Sequence, residues 1–315
     1  VNGSADKPLA LMLMGPTASG KSALAVELAR LLGGEIISVD SSLVYRGMDI
    51  GTAKPSAELR STIPHHLVDL LDPRETYSAG RFRRDALALV ESISREGRIP
   101  ILVGGTMLYF NALLRGLAVL PRADPEVRAR IDAEAAREGW PALHARLSKI
   151  DPEAARRIHP HDGQRIQRAL EVYRLTGKPL SHWWAQDGEE GGELPFRTVK
   201  IAVAPESREI LHRRIAARFH AMLQQGLIEE VRRLWRREDL HLGLPALRSV
   251  GYRQVWLYLD GRYDFSTMNE KAVIATRQLA KRQFTWLRRE RKIHWFDSGD
   301  RDLAAKVISI VEMVR

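Results

Sequence analysis

The run Gly15-Pro16-Thr17-Ala18-Ser19-Gly20-Lys21-Ser22 has the residue types and spacing of a G-x-x-x-x-G-K-[ST] phosphate loop, which is chemistry for holding a polyphosphate. Its glycines let the backbone curl so that successive amide N–H groups point inward, and a helix beginning at its end adds favourable partial charge for an anion. Lys21 is placed to neutralise the far phosphate, and the Ser22 hydroxyl to ligate Mg²⁺. A second reactive group follows at Asp40, a carboxylate that closes the apolar segment Ile36-Ile37-Ser38-Val39. Three roles are open to it: a Mg²⁺ ligand, a general base, or a cap on the following turn. The loop does not say which diphosphate or triphosphate is bound, nor whether a phosphoryl group is what moves.

Groups of this kind work at the carboxyl edge of a parallel sheet, so the surrounding sequence has to supply one. The first third does so, alternating β-type runs at Leu9–Met14, Glu35–Val39, His66–Leu70 and Ile99–Gly104 with helical segments. Leu24, Leu28, Leu31 and Leu32 give the helix after the loop its apolar repeat, and Gly33-Gly34 stops it. A second helix is expected from Ser78 to Glu96. The Ile99–Val103 strand runs into Gly104-Gly105-Thr106, where a mechanical or switch-type NTPase would carry an acid, and this disfavours that class while leaving a small-molecule kinase possible.

From Pro121 to Leu194 helical segments follow one another without a strand. Asp124-Pro125 and Asp151-Pro152 read as N-caps followed by Pro at the first helical position, with Gly139 and Gly177 as stops. The Gln186–Glu193 stretch, rich in Gly and acid, reads as a linker back to the core, and Trp183-Trp184 beside it as residues that bury a domain junction. Strands at Thr198–Ala204 and Lys292–Phe296, with basic helices at Ser207–Arg237 and Asn269–Arg289 between them, complete the pattern. The expected fold class is α/β: a P-loop NTPase-like parallel sheet covered by helices over 1–120 and 195–315, with an all-helical insertion over 121–194.

The 315 residues, 44% of them hydrophobic, suffice for a sizeable core. No cysteine is present, which excludes disulfides, thiolate metal sites and a cysteine nucleophile. No apolar run approaches the roughly 20 residues needed to span a bilayer, so no membrane partner and a cytoplasmic location are expected. Lys plus Arg number 49 against 39 Asp plus Glu, a net charge of +10 concentrated late in the chain, which makes a large polyanion a plausible partner.

Beyond the phosphate loop, the chain carries Val39-Asp40-Ser41-Ser42-Leu43-Val44-Tyr45, Gly51-Thr52-Ala53-Lys54-Pro55, Pro64-His65-His66-Leu67-Val68-Asp69 and Val103-Gly104-Gly105-Thr106-Met107-Leu108-Tyr109. Further on stand Gln164-Arg165-Ile166-Gln167-Arg168, Arg248-Ser249-Val250-Gly251-Tyr252-Arg253 and Lys281-Arg282-Gln283-Phe284-Thr285-Trp286. With these motifs, nearly the whole chain resembles the tRNA dimethylallyltransferases, or tRNA isopentenyltransferases, of the bacterial type. The resemblance implies that the loop Gly15, Pro16, Thr17, Ala18, Ser19, Gly20, Lys21 and Ser22 holds the diphosphate of dimethylallyl diphosphate. It implies transfer of the prenyl group to the exocyclic amine of the adenosine just 3′ of a tRNA anticodon, with Mg²⁺ as cofactor. Asp40, Thr17 and Arg218 are the implied catalytic residues, Asp40 as the base.

The resemblance further implies that the anticodon stem-loop is met by Asp40, Ser41, Ser42 and Leu43, by Thr106, by Arg128, and by Gln164, Arg165, Ile166, Gln167 and Arg168 of the insertion. Arg248, Ser249, Val250, Gly251, Tyr252 and Arg253 join them, as do Lys281, Arg282, Gln283, Phe284, Thr285, Trp286, Leu287 and Arg288. Read from the residues themselves, Arg277, Lys281, Phe284 and Arg288 share one helical face, combining charge with an aromatic that could stack or pack. Gln164, Arg165 and Arg168 lie opposite an apolar stripe of Ile166, Ala169, Leu170 and Tyr173. The pairs His65-His66 and His159-x-His161 lack the companions of a metal site and are assigned to packing and loop hydrogen bonds. The rival reading is a P-loop small-molecule kinase, and a monomer is the simplest expectation.

Overall fold

The computed structural model of the chain describes residues 7–117, 120–190 and 194–315. The described residues fall into two compact units, one covering 7–113 with 194–315 and the other 114–117 with 120–190. In chain order the elements are β1 (Leu9–Met14), α1 (Lys21–Leu32), β2 (Gly34–Val39), α2 (Ala57–Thr62), β3 (His65–His66), α3 (Ala79–Arg95), β4 (Ile99–Gly104) and α4 (Met107–Arg115). The insertion supplies α5 (Pro125–Glu138), α6 (Trp140–Ile150), α7 (Pro152–Arg157), α8 (Gly163–Thr176) and α9 (Leu180–Glu190). The first unit resumes with β5 (Arg197–Ala204), α10 (Arg208–Gln224), α11 (Leu227–Trp235), α12 (Tyr252–Leu259), α13 (Phe265–Leu287), β6 (His294–Asp297) and α14 (Leu303–Val314).

The strands of the first unit form one sheet in the order β3-β2-β4-β1-β5-β6, every pairing parallel. β1, β2 and β4 are buried along their whole length, as the continuous apolar runs of a doubly covered parallel sheet require. Leu24, Ala25 and Leu28 of α1 and Leu303, Val307 and Val311 of α14 share a core with alternate residues of β1, β4 and β5. β1 lies between β4 and β5, so the phosphate loop that follows it opens at the centre of the sheet's carboxyl edge.

Several boundaries differ from those read in the sequence, each for a local reason. The strand expected at His66–Leu70 is only His65–His66, because Leu67 (φ 60°) and Asp69 (φ 57°) turn the backbone into the left-handed region. The long helix expected over Ser207–Arg237 is two, separated at Gly226 with φ 98°. The helix expected from Asn269 starts at Phe265, where the Asp264 carboxylate accepts from the Thr267 N–H at 2.6 Å. Ser78 and Ser207 cap α3 and α10 in the same way.

The second unit is all helical among its described residues and has its own core, built from Val127, Ile131, Leu143, Leu147, Ile166 and Leu170. Asp124 and Asp151 cap α5 and α7 ahead of Pro125 and Pro152. Trp183 and Trp184, expected at a junction, pack against this unit's own core. The segment expected as a linker is helical as far as Glu190, and 191–193 lie outside the described residues. On α8, Tyr173 is 36% exposed and the stripe closes instead through Val172 and the fully buried Glu171.

Candidate active site

The phosphate loop is shaped by contacts that its residue types dictate. A Cβ on Gly15 would lie 2.4 Å from the Val203 carbonyl of β5, so only glycine lets the loop leave β1 beside that strand. Ala18 (φ 63°) and Gly20 (φ 90°) take left-handed conformations, and the Ser19 N–H donates to the Pro16 carbonyl at 3.3 Å. The Lys21 ammonium donates to that same carbonyl at 3.0 Å, which folds its side chain back along the loop. Ser19 Oγ is buried without a partner.

Lys21, Asp40 and Arg218 lie within electrostatic reach of one another. Burial pulls the Lys21 ammonium down from its ordinary value to about 8, with the Arg218 charge pulling the same way and Asp40 opposing. Burial likewise holds Arg218 below its ordinary value, against the pull of Asp40. Two cations desolvated beside one carboxylate are a site prepared for further negative charge.

Asp40 stands one residue beyond β2, and its Oδ1 accepts from the N–H groups of Ser42 (2.8 Å) and Leu43 (3.4 Å). The turn after β2 is therefore capped by the carboxylate, as one of its three readings anticipated. Ser41 N–H donates to Thr106 Oγ1 at 3.1 Å, and the hydroxyls of Ser42 and Ser249 are 2.9 Å apart. Gly104 allows this edge to close, since a Cβ there would sit 2.0 Å from the Val39 carbonyl.

Gln283 joins the phosphate loop to the end of β4. Its buried amide oxygen accepts from the Thr17 N–H at 2.9 Å, and its amide nitrogen donates to the Gly105 carbonyl at 2.9 Å. The resemblance implies an RNA contact for Gln283, and the structure gives it this bridging role. The sequence carries a signal for the structural role: Gln283 falls in the α13 stripe with Ala280 and Leu287, where a polar residue is buried only if it is bonded. Glu230 of α11, which sequence reasoning did not single out, carries the same signal.

These groups face one cavity of about 610 Å³ in the first unit. Thr17, Ala18, Lys21 and Ser22 of the loop line it with Asp40, Ser42 and Leu43, and Arg218, Phe219, Met222, Ser249, Val250, Gly251 and Gln283 form other parts of its wall. Ile36, Val68, Val103, Ile215 and Leu279 give it apolar surface, and Ser38 brings a buried hydroxyl without a partner. Such a chamber suits a ligand with a charged head and a hydrocarbon part. Ser22 and Asp40 offer one hydroxyl and one carboxylate beside the phosphate cradle, and the described residues hold no group of three or more His, Asp or Glu placed to hold a metal ion. That donor set fits Mg²⁺ carried mainly by a substrate's phosphate oxygens.

Other site candidates lie elsewhere. Arg248, Arg253, Lys281, Arg282, Thr285, Trp286 and Arg288 are exposed on the first unit, and Gln164 and Arg165 on the second. Tyr252, Leu287 and Ile166 are buried and support their neighbours from within the core. Phe284 packs half-buried against Leu211, Ile215 and Ala280, with the Arg288 guanidinium 5.9 Å from its ring. In the second unit Arg128 and Arg168 are committed to the buried Glu171, at 2.8 and 2.6 Å, and Gln167 donates to Asp132. The buried carboxylate needs these cations, so Arg128 and Arg168 have a structural role in this unit. His65 bonds to the Ile63 carbonyl and the His161 N–H to His159, both local loop contacts, while His66 of β3 bonds to the buried Glu35 carboxylate of β2.

The family model described as IPP transferase matches residues 43–290. A tRNA dimethylallyltransferase of Methylococcus capsulatus is 59% identical over 97% of this chain and 98% of its own length. One of Alkalilimnicola ehrlichii is 62% identical over 91% and 89%. Among solved structures, the tRNA isopentenylpyrophosphate transferase of Bacillus halodurans superposes with a TM-score of 0.71 at 37% identity, over 98% of this chain and 97% of that one. A eukaryotic dimethylallyltransferase captured acting on tRNA gives 0.80 at 28%, over 96% and 78%. With the phosphate loop, the carboxylate after β2 and the chamber between them in place, the chain belongs to the IPP transferase family, alongside relatives that are tRNA dimethylallyltransferases.

Proposed function

We propose that the chain transfers a dimethylallyl group from dimethylallyl diphosphate to the exocyclic N6 amine of the adenosine 3′-adjacent to a tRNA anticodon, releasing diphosphate. The observation that carries this reading is the single chamber in which the phosphate loop, Arg218 and Asp40 face one another across apolar walls. The loop amides, Lys21 and Arg218 bind the diphosphate and take up the charge that grows on it as the bond from the prenyl C1 to oxygen breaks. The bond from N6 to C1 forms as the other breaks, and the Asp40 carboxylate accepts the proton that N6 gives up. A base matters because the lone pair of an adenine amine is delocalised into the ring. Apolar walls keep water from the allylic carbon, whose developing positive charge would otherwise be captured as alcohol. Mg²⁺, held by Ser22 together with diphosphate oxygens, would supply further neutralisation of the leaving group.

Reaching N6 requires the adenine to leave the anticodon-arm stack, at a cost of about a few kcal/mol, so the RNA must be gripped outside the chamber. Exposed Arg248, Arg253, Lys281 and Arg282 on the first unit, and Gln164 and Arg165 on the second, are the groups proposed for that grip. One copy of the chain supplies every residue named, consistent with a monomer acting in the cytoplasm. No helix among the described residues is long and apolar enough to cross a membrane. The kinase alternative is disfavoured because the relatives are tRNA dimethylallyltransferases.

Nucleoside mass spectrometry of unmodified tRNA incubated with the protein, Mg²⁺ and dimethylallyl diphosphate tests the reading, beside a reaction given ATP. An isopentenyl mass gain on one adenosine, only with the prenyl donor, is the expected result. ADP formation without any gain on RNA would overturn it.

A further inference from the structure

A carboxylate occupies an apolar position in α11. The helix buries Leu227, Glu230, Val231 and Leu234, an i, i+3, i+4, i+7 stripe, and Glu230 is 1% exposed. A buried carboxylate is tolerated only when its oxygens are fully supplied with donors. Oε2 accepts from the N–H groups of Asp49 (3.0 Å) and Ile50 (2.8 Å), and Oε1 from the Gly51 N–H (3.2 Å) and the Tyr252 hydroxyl (2.5 Å). Three consecutive amides thus converge on one anion, as in an anion-binding nest whose anion the protein itself provides. Gly51 is locked against Tyr252 as well, since a Cβ there would be 2.4 Å from the ring.

The segment held in this way is a wall of the chamber. Gly51 and Thr52 line it, and the Thr52 carbonyl accepts a long hydrogen bond, 3.4 Å, from Arg218 Nη2. The Thr52 hydroxyl is turned back to the Met48 carbonyl at 2.7 Å, so what the segment offers Arg218 is backbone. Backbone offers a fixed acceptor only if the loop itself is fixed.

We propose that Glu230 is a positioning residue for prenyl transfer: it clamps the 49–51 amides so that the Thr52 carbonyl orients the Arg218 guanidinium beside Asp40 and Lys21. The clamp acts on the reaction only through Arg218, and it rests on the function given above. Glu230→Gln keeps the shape but replaces one oxygen by an amide nitrogen that faces two N–H or O–H donors. Tyr252→Phe removes one donor and leaves the three amides bonded.

The test has two arms. Hydrogen-exchange mass spectrometry should show the 49–51 amides exchanging at least about tenfold faster in Glu230→Gln, with protection elsewhere unchanged. In prenyl-transfer kinetics, Glu230→Gln should lower kcat about thirtyfold with KM for tRNA within about threefold, and Tyr252→Phe should lower kcat less in the same direction. In an Arg218→Ala background, Glu230→Gln should cost less than about threefold further, because the group it positions is gone. Unchanged exchange at 49–51, or an undiminished loss in the Arg218→Ala background, would overturn the proposal. Should Glu230→Gln fail to fold, the same cycle between Tyr252→Phe and Arg218→Ala decides, additive losses counting against it. An unmodified chain that transfers no prenyl group overturns the function itself, whereas an active chain with additive losses overturns only the role of Glu230.

Discussion

Replacing Lys21 by Arg should abolish a pH dependence of diphosphate binding that burial has written into the site. In the free protein the Lys21 ammonium titrates at about 8, so it is largely charged at pH 7 and largely neutral at pH 9. A bound diphosphate holds the side chain protonated across that range, so the apparent dissociation constant varies as the inverse of the protonated fraction of the free protein. With a pKa of about 8 it rises about tenfold between pH 7 and pH 9, equivalent to about 1.4 kcal/mol. Arginine stays charged throughout and removes this dependence. Isothermal titration of inorganic diphosphate into both proteins at pH 7, 8 and 9 measures the effect, and the ratio of the two affinities cancels the ligand's own ionisation. At pH 8 the unmodified protein should also take up about half a proton more per ligand than Lys21→Arg. An affinity ratio constant within about twofold across the range would refute the argument, and with it the view that burial tunes this lysine. For the empty protein the linkage has its own sign. The folded pKa lies below the unfolded value of 10.5, so charged Lys21 disfavours the fold below about pH 8, and this is relieved as pH rises towards 10.5.

Further outcomes follow from other contacts. Asp40→Asn should lower kcat by about 10² to 10⁴, the range of general base catalysis, while tRNA affinity measured by filter binding stays within about threefold; equal losses of both would remove Asp40 as the base. Gln283→Leu cuts the bridge between Thr17 and Gly105 and should weaken inorganic diphosphate binding in the absence of any RNA, by about tenfold, whereas a residue that served only RNA contact would leave that titration unchanged. Lys281→Ala with Arg288→Ala should weaken tRNA binding and reduce the slope of log affinity against log salt by about 1.5, an unchanged slope taking α13 out of the interface. Glu171→Ala should destabilise the second unit by about 1–3 kcal/mol in denaturant unfolding, because the Asp124 N–H and the partly exposed Arg128 and Arg168 lose their buried acceptor. Burial opposes the charge on Glu171, but Arg128, Arg168 and the Asp124 amide outweigh it and hold the carboxyl below its ordinary 4.5. The stability this provides is present above that pH and is lost on acidification through the lowered folded value; Glu171→Gln should flatten the acid limb of the unfolding curve.

The elements that place the phosphate loop were legible because their signals are local. β1, β2 and β4 are uninterrupted apolar runs, and Asp124-Pro125 or Asp151-Pro152 announce a helix start within two residues. Boundaries were lost where one residue's backbone overrode the pattern around it, as at Gly226, which splits what the apolar spacing alone joins into a single helix. The roles of Arg128, Arg168 and Gln283 were lost for a different reason. A charged or amide side chain on a helix reads the same whether water or a partner meets it, and two of the partners are far off in the chain, Glu171 at 43 residues from Arg128 and Thr17 at 266 from Gln283; Arg168 meets Glu171 three residues on, but nothing local shows that this carboxylate is buried.

The sequence by itself determined that a phosphate-loop motif follows the first strand, that a carboxylate follows the second, and that a helical segment interrupts the core, because each is written in contiguous residues. Its motifs also placed the chain among the tRNA prenyltransferases. Tertiary structure alone decided that Asp40, Lys21 and Arg218 share one field, that Glu230 and Gln283 bond the loops around the chamber, and that Arg128 meets the buried Glu171 of another helix. Desolvation and hydrogen-bond partnership are properties of neighbours in space, and only the folded chain brings those neighbours together.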